Sequence, residues 1–268
     1  MSIRFDRKVA VITGAAMGIG GATARKFAEL GASVALLDRD TAELEKTATA
    51  LGKNARAYTC DVSKGEQVEH AITSAARDFG GIDVLVSNAG IQRYGTAAST
   101  SEETWDEVLE TNLKGFFLAS KYALPHLLAR GGGAIVAVGS VQSIAALGNA
   151  AAYVASKHGV LGLTRALALD YARQNVRVNC VLPGAIDTPM LRWAASLDPD
   201  PQHVLESCDR MHALGRMGRP EEVANAIAFL ASDWASFVTG AALLVDGGMM
   251  VPAGGMGFQE SGTGARAK

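Results

Sequence analysis

The chain alternates short apolar runs with longer segments in which apolar positions recur at helical spacing. The runs have the length of buried strands, and glycine, asparagine, aspartate or serine bounds most of them. This pattern predicts seven strands, which span Val9–Thr13, Ser33–Leu37, Ala55–Thr59, Ile82–Val86, Ala134–Val138, Val176–Val181 and Leu243–Val245.

The segments between the strands predict helices. Asp40 with Glu43 and Ser63 with Glu66 have the spacing of capped helix starts. A long helical region is predicted to be interrupted before Pro125, because the residue before a proline disfavours helical geometry. The clearest predicted helices span Asp40–Ala50, Glu102–Ala129, Ala151–Arg173 and Pro220–Ala231.

Strands that alternate with helices form parallel sheets, because each right-handed crossover packs its helix back on the sheet. The sequence therefore predicts an α/β fold, a doubly wound parallel seven-stranded sheet of the Rossmann type in a single domain. The domain is predicted to span residues 1–252. Residues 190–217 fall outside the alternation, as does a Gly-rich C-terminal tail at residues 253–268.

Composition narrows the classes of function. The 268 residues are 49% hydrophobic, which is enough for one large core. The net charge is -2, so no basic excess is available to neutralise a phosphate backbone, and nucleic-acid binding is disfavoured. The three cysteines are far apart and have no metal-ligand spacing, which favours a reducing compartment and predicts no metal site.

The N-terminus shares features with a secretory signal. Basic residues precede its apolar stretch, and Ala22-Thr23-Ala24 resembles a cleavage site, but glycines interrupt the stretch. No apolar run reaches the ~18 residues that a membrane-spanning helix requires. We therefore expect a cytoplasmic protein with no membrane partner.

A glycine-rich turn follows the first predicted strand and opens the first helix, with the sequence Thr13-Gly14-Ala15-Ala16-Met17-Gly18-Ile19-Gly20. Glycines let the backbone approach a pyrophosphate, whose charge the helix N-terminus stabilises. The wider glycine gap comes first, unlike the commonest dinucleotide fingerprint, and glycine also marks ordinary turns. The position between strand and helix favours dinucleotide binding.

Asp38 ends the second predicted strand, about 20 residues after the turn, where a carboxylate can accept hydrogen bonds from an adenosine ribose. A carboxylate there would repel a 2′-phosphate and so favours NAD over NADP. A solvated Asp at a strand end is the alternative, and the neighbouring Arg39 could receive that phosphate. Because Ala15, Ala16 and Met17 add no second cation, NAD is the predicted cofactor.

Tyr153 and Lys157 lie at i and i+4 on one predicted helix and therefore share a face. A nearby ammonium and a nicotinium ring would lower the phenol pKa from about 10 towards neutrality, a change of roughly 4 kcal/mol. Alone, the pair also fits a packed Tyr beside a solvated Lys. However, Ser140, Asn88–Gly90 and Pro183-Gly184 follow three predicted strands and converge with the pair on one crevice.

The chain up to about Pro252 resembles the short-chain dehydrogenase/reductase family in its single-domain form. The resemblance is carried by ordered motifs: T-G-x-x-x-G-x-G at Thr13–Gly20, Asp61-Val62, N-A-G at Asn88–Gly90, Asn112, Ser140, Y-x-x-x-K at Tyr153 and Lys157, Pro183-Gly184 with Thr188, and Val245–Gly248. It implies a nicotinamide-dependent oxidoreductase that acts on CH-OH groups.

The resemblance implies a catalytic set of Asn112, Ser140, Tyr153 and Lys157. Tyr153 would be the general acid/base, and Ser140 would bind the substrate oxygen. Lys157 would lower the Tyr153 pKa and bind the nicotinamide ribose, and Asn112 would hold a water that links Lys157 to solvent. The implied cofactor contacts are Gly14, Met17, Gly18, Ile19, Gly20, Asp38, Arg39, Asp61, Val62, Asn88, Ala89, Gly90, Tyr153, Lys157, Pro183, Gly184, Ile186 and Thr188.

Two positions depart from the family pattern. Ser87 stands where a second Asn is frequent, and we expect a local effect only. Val138-Gly139 precede Ser140, where a Ser or a bulkier residue is frequent, and this difference is expected to reshape the pocket floor.

The substrate is expected to be a small molecule that contacts Ser140, Gln142 and Tyr153. In relatives, the segment that corresponds to residues 190–217 forms a lid over the nicotinamide. Further polar candidates are Gln92, Arg93 and Asn149, although such residues on loops are often only solvated. The polar groups favour a sugar, polyol or cyclic secondary alcohol.

Two other functions compete. A 3-oxoacyl-carrier-protein reductase would use Arg130 and Arg173, which lie where relatives hold the acidic carrier. Asp38 opposes that function, because reductive biosynthesis normally draws on NADPH. A non-catalytic NAD-binding regulatory module is the third hypothesis, and the intact Ser140, Tyr153 and Lys157 set disfavours it.

The predicted helix over Gly159–Ala172 is apolar around most of its circumference. Such a helix is buried either within its own domain or against another subunit. Relatives form dimers and tetramers through such helices, so a homotetramer is expected. The tail after Ala253 is expected to be disordered or to reach a neighbouring subunit's pocket.

Overall fold

Seven strands form the centre of the computed structural model, which describes residues 2–251. They are β1 (Val9–Thr13), β2 (Ser33–Asp38), β3 (Ala55–Thr59), β4 (Val84–Ser87), β5 (Gly133–Val138), β6 (Val176–Pro183) and β7 (Ala242–Val245). They make one sheet in the order β3-β2-β1-β4-β5-β6-β7, and every neighbouring pair is parallel. The predicted fold class is confirmed. The C-terminal tail and the two end residues of the predicted domain lie outside the described residues.

Helices connect successive strands throughout the described part of the chain. They are α1 (Gly18–Glu29), α2 (Thr41–Leu51), α3 (Gly65–Phe79), α4 (Glu102–Leu109), α5 (Gly115–Ala129), α6 (Ala151–Tyr171), α7 (Pro189–Ala195), α8 (Pro201–Arg210) and α9 (Pro220–Ala231). No helix within residues 2–251 is both long and apolar enough to cross a bilayer.

Both faces of the sheet are covered by helices, so the molecule has two apolar cores. α3, α5 and α6 cover one face, with Ile72 and Leu127 among the buried side chains. α1, α2 and α9 cover the other face, where Phe27 and Leu44 are fully buried. A strand that is buried on both faces is mostly apolar, as in β1, whose five residues are all buried and include one polar residue, Thr13.

The long helical region over Glu102–Ala129 is interrupted, but the predicted place is wrong. Pro125 lies inside α5, where its neighbours Leu124 and Leu127 are buried in the core and offset the cost of an interior proline. The interruption is instead a π-helical segment, Glu110–Lys114, between α4 and α5. Such segments are frequent at functional sites.

One predicted helix start is confirmed and one is wrong. The Asp40 carboxylate accepts the Glu43 N–H at 3.1 Å and caps α2. The Ser63 N–H donates to the Asp61 carboxylate at 2.9 Å, so Ser63 belongs to a turn and α3 begins only at Gly65.

The sheet order changes direction between β1 and β4, because β2 and β3 extend to one side of β1 and β4 to β7 extend to the other. The crossover helices on the two sides cover opposite faces, which leaves a crevice at the carboxyl ends of the central strands.

Candidate active site

A cleft of about 660 Å³ opens at this crevice. Its walls come from the turn after β1, the segments that follow β2 to β6, and helices α7 and α8. All of the predicted cofactor residues except Gly20 line it, and so do the predicted substrate residues Ser140, Gln142 and Tyr153. Asn112 is buried outside the set of lining residues.

The glycine turn has a backbone that only glycine adopts easily. Gly14 and Gly18 have φ values of +65° and +56°. A Cβ at Gly20 would lie 2.0 Å from the Gly14 carbonyl oxygen, which explains why Gly20 shapes the turn without lining the cleft. The turn therefore presents backbone to the cleft at the N-terminus of α1, which fits a pyrophosphate.

Asn88 holds this turn in place. Its amide group donates to the carbonyl oxygens of Thr13 and Gly14, both at 3.0 Å. The Thr13 hydroxyl in turn accepts the backbone N–H groups of Asn88 and Ala89. The end of β4 and the turn after β1 are thus tied together, and the amide group of Asn88 donates its hydrogen bonds within the protein.

Carboxylates gather at the end of the cleft that lies beside β2 and β3. Asp38 accepts the N–H of Ala16 at 3.1 Å and the N–H of Asp40 at 3.1 Å, which fixes its orientation beside the glycine turn. Asp38, Asp40 and Asp61 line this end of the cleft, where Arg39 is the one cation among residues 2–251. This end fits a ribose and disfavours a phosphate.

Tyr153 and Lys157 share the inner face of α6, as predicted, and both are buried. The Lys157 amine lies 5.5 Å from the centre of the Tyr153 ring and donates to the Val138 carbonyl oxygen at 2.9 Å. The Ser140 hydroxyl accepts the Gln142 N–H at 3.1 Å. Since Tyr153, Lys157 and Ser140 all line the cleft, the structure brings the three predicted groups together.

Burial dominates the acid–base properties of this pair. It raises the pKa of the Tyr153 phenol to about 12, although the Ser140 hydroxyl favours the phenolate and opposes the rise. Burial also lowers the pKa of the Lys157 amine to about 8. At neutral pH, a protonated phenol therefore stands beside an ammonium group.

Asn112 lies in the π-helical segment and ties two parts of the site together. Its side-chain oxygen accepts the Ile91 N–H at 2.8 Å, and its amide group donates to the Ile91 carbonyl at 2.9 Å and to the Ser156 hydroxyl at 3.0 Å. Both amide protons are used, so the predicted contact with a water would use an oxygen atom of Asn112. That contact stays a prediction.

Residues 190–217 form one excursion from the sheet. Its two ends meet where Ile186 and Gly218 pair, with the Asp187 N–H donating to the Gly218 carbonyl at 2.9 Å. The excursion begins at Thr188, whose hydroxyl accepts the Leu191 N–H and caps α7. α7 and α8 cover the cleft from this position, as a lid would.

Two of the four polar candidates, Arg93 and Asn149, are not among the residues that line the cleft. Gln92 and Gln142 line it, whereas Asn149 lines a separate groove. The Arg93 guanidinium is held by the Glu107 carboxylate at 2.8 and 3.0 Å and lies 5.7 Å from the centre of the Trp193 ring. Arg93 therefore links the body of the protein to α7 and is not among the residues that line the cleft.

The sequence reasoning missed Tyr94, Val204 and Cys208, which line the cleft. Val204, Cys208 and Met211 recur at i, i+4 and i+7, so the apolar face of α8 could have been found from its spacing. Tyr94 lies in the loop after β4 and has no pattern that would have identified it.

Packing explains one departure from the family pattern. A Cβ at Gly139 would lie 2.8 Å from each of three atoms, the Cys180 Sγ, a Leu182 methyl and the Ser143 Oγ. The bulkier residue of other family members does not fit here without a shift of these neighbours. Ser87, at the other departure, is buried at the end of β4.

Comparisons with known proteins agree with this geometry. A family model described as Enoyl-(Acyl carrier protein) reductase matches residues 14–250. Cyclohexanol dehydrogenase of Acinetobacter sp. (strain SE19) is 41% identical over 253 residues, which cover 92% of this chain and 96% of that protein. Cis-4-hydroxycyclohexanecarboxylate dehydrogenase of Sinomonas cyclohexanicum is 45% identical over 253 residues, which cover 92% and 98%. The crystal structure of levodione reductase superposes with a TM-score of 0.90 at 36% identity and covers 92% of this chain and 99% of that chain.

Proposed function

The chain belongs to the short-chain dehydrogenase/reductase family, and from this membership we propose that it is an NAD-dependent oxidoreductase. It moves a hydride between nicotinamide and a secondary alcohol or ketone. The observation that carries the proposal is the meeting of Tyr153, Lys157 and Ser140 at one end of a cleft whose other end presents a glycine turn and Asp38.

Each part of the cleft has a task in this reaction. The bound dinucleotide supplies the hydride acceptor in alcohol oxidation and the hydride donor in ketone reduction. The turn from Thr13 to Gly20 binds the pyrophosphate, and Asp38 binds the adenosine ribose. Ser140 donates a hydrogen bond to the reacting oxygen, which holds it next to the Tyr153 phenol.

Tyr153 moves the proton. In ketone reduction, the protonated phenol donates to the developing alkoxide, and its pKa of about 12 keeps it protonated at neutral pH. Alcohol oxidation needs the phenolate, and lowering the pKa by about five units requires about 7 kcal/mol of differential stabilisation. The Lys157 ammonium contributes part of that stabilisation, since it favours the charged form of its neighbour.

The charge at the adenosine end supports NAD. Asp38, Asp40 and Asp61 outnumber the single cation Arg39 among the residues that line this end. A 2′-phosphate would bring two further negative charges to this surface, whereas a ribose hydroxyl would donate to Asp38.

Among the predicted substrates (a sugar, a polyol or a cyclic secondary alcohol), we favour the cyclic secondary alcohol. Gln142 lines this end of the cleft beside Ser140 and Tyr153, and its side-chain oxygen is buried without a hydrogen-bond partner among residues 2–251. The names of the relatives, cyclohexanol dehydrogenase and levodione reductase, support a ring-shaped substrate.

A 3-oxoacyl-carrier-protein reductase fits less well. The Arg130 guanidinium, which would hold an acidic carrier, is already paired with the buried Asp83 carboxylate at 3.3 Å. The carboxylates at the adenosine end also oppose NADPH. A regulatory module without turnover is disfavoured, because the catalytic groups lie together in the cleft.

The proposed enzyme is a cytoplasmic homotetramer. Leu169 on α6 and Phe237 in the loop before β7 are largely exposed within one chain, and large exposed apolar side chains support contacts between subunits.

Replacement of Tyr153 tests the proposed chemistry. Wild type and Tyr153→Phe are assayed with cyclic alcohols, polyols, sugars and 3-oxoacyl thioesters, by following the absorbance of reduced nicotinamide with each cofactor. We expect wild type to oxidise a cyclic alcohol with NAD, and Tyr153→Phe to lose turnover while it binds NADH within a few-fold of wild type. A variant that keeps a tenth of wild-type kcat would contradict the assignment.

A further inference from the structure

The substrate half of the cleft has a wall without charge. α7 contributes Met190, Leu191 and Ala194, and Val204, Cys208 and Met211 come from α8 and the residue that follows it. Each of these side chains is apolar or, in Cys208, a thiol. Burial raises the Cys208 pKa, so the thiol stays neutral.

The charged residues of the lid point elsewhere. Arg192 on α7 is paired with Asp187 at 2.7 Å, and both are solvent-exposed at their side chains. On α8, Glu206 and Arg210 are exposed and lie on the face opposite Val204. Both lid helices are therefore amphipathic, with their apolar faces towards the cleft.

Within the described residues, the remaining walls of the substrate half add no cation that is free to pair with a substrate. Tyr94 and Gln142 are neutral, and the nearby Arg93 is neutralised by two hydrogen bonds with Glu107. Among residues 2–251, Lys157 is the one cation that lines this half, and it is buried beside Tyr153 with its amine bonded to the Val138 carbonyl. An anionic substrate would thus lose its hydration without gaining a counter-charge on the lid. This loss is costly in a closed cleft.

We infer that the lid selects neutral alicyclic alcohols and ketones and excludes substrates that carry a carboxylate, sulfonate or phosphate. The inference rests on the proposed function and narrows its substrate class. It separates this chain from the relative that is 45% identical and is named for a hydroxycyclohexanecarboxylate.

The test uses two substrates that differ in charge but scarcely in shape. cis-4-Hydroxycyclohexanecarboxamide and cis-4-hydroxycyclohexanecarboxylate have the same number of heavy atoms, and cyclohexanol lacks the substituent. We expect NAD-dependent oxidation of cyclohexanol and of the amide, with kcat/KM for the acid at least 100-fold below that for the amide. Oxidation of the acid within tenfold of the amide would overturn the inference and leave the proposed function intact. Failure to oxidise all three, with either cofactor, would overturn both.

A pair of variants separates charge from shape. Val204→Arg places a permanent cation on the inner face of α8, and we expect it to raise the acid/amide ratio of kcat/KM at least tenfold. Gln202→Arg adds the same charge to the exposed side of the same helix and should leave that ratio unchanged. An acid/amide ratio that stays at the wild-type value in Val204→Arg, with the amide still oxidised, would show that charge does not set the selectivity.

Discussion

Lys157 brings a positive charge into a site that disfavours it. Burial lowers its pKa to about 8 from 10.5, a difference that corresponds to about 3 kcal/mol of destabilisation when the amine is charged. The hydrogen bond to the Val138 carbonyl offsets part of this cost. The proposed role of Lys157 in catalysis would account for this cost in stability.

We predict that Lys157→Met abolishes turnover and raises the free energy of unfolding at pH 7 by about 2 kcal/mol. This gain in the free energy of unfolding should be fully present below pH 8, where the wild-type amine is protonated in both the folded and the unfolded state. It should shrink as the pH rises from 8 towards 10.5, because the folded state then loses its proton before the unfolded state does.

Urea unfolding at fixed protein concentration and several pH values measures this effect. Lys53→Met, at an exposed position after α2, is the matched control and should change stability by less than about 0.5 kcal/mol. A Lys157→Met protein that is less stable than wild type at pH 7 would show that the amine's contacts outweigh its burial.

Asp38 is predicted to set the cofactor preference. Asp38→Ala should lower kcat/KM with NAD and raise it with NADP, so that the NAD/NADP ratio falls at least tenfold, because both a ribose contact and a repulsive charge are lost. Asp38→Asn keeps the shape and removes only the charge, so its kcat/KM with NADP should also rise. Paired kcat/KM measurements with both cofactors check this, and an unchanged ratio in both variants would refute the ribose assignment.

A buried histidine just after α8 is one of the contacts between the lid and the body of the protein. His212 is buried, donates through Nδ1 to the Cys208 carbonyl at 2.7 Å and accepts the Ala185 N–H through Nε2 at 3.1 Å. Because the Ala185 N–H can only donate, Nε2 must accept and carries no proton. The proton of the neutral ring is therefore on Nδ1, which donates to the Cys208 carbonyl. The ring thereby couples the substrate wall of the lid to the segment after β6, which also lines the cleft.

We predict that His212→Leu raises KM for the alcohol about tenfold, because the partly buried Ala185 N–H loses its acceptor and the lid closes less often. His212→Gln should recover much of the loss, since the Gln oxygen can reach the Ala185 N–H. Steady-state kinetics with thermal unfolding as a folding control measures both. Equal KM values for the Leu and Gln variants would show that His212 only fills space.

The bounds of strands and helices were predictable from the sequence where a single physical effect determines them. β1 has the predicted bounds, because a buried apolar run between turn residues has one favourable solution in a covered sheet. β3 also has the predicted bounds, although it is an edge strand without a fully buried residue. The start of α3 was not predictable, since Asp61 competes for the Ser63 N–H. The π-helical segment at Glu110–Lys114 was not predicted either, because one extra residue in a turn scarcely changes the spacing of the apolar residues.

The residues of the candidate site were also predictable only in part. Residues at strand ends, such as Asp38 and Ser140, were predictable because their positions follow from the sheet. Tyr94 and Cys208 were not, since their place in the cleft depends on how a loop and the lid pack on the finished domain.

At the scale of the whole molecule, β7 is one of the two edge strands of the sheet. β7 ends the sheet order and pairs only with β6 in the described chain, and Leu244 on it is partly exposed. Nearby, the loop at Gly240 packs against Ala168 of α6, which places the exposed Phe237 and Leu169 close to this edge. An apolar surface next to an open strand edge favours association with another copy.

We predict that Phe237→Glu lowers the oligomeric state of the proposed tetramer, because a carboxylate in an apolar contact loses its hydration. Light scattering coupled to size exclusion measures the mass, and circular dichroism checks that the fold is kept. Thr49→Glu, on α2 at the opposite edge of the sheet, adds the same charge and should leave the mass unchanged. A Phe237→Glu protein with the wild-type mass would move the subunit contact away from β7 and the loop before it.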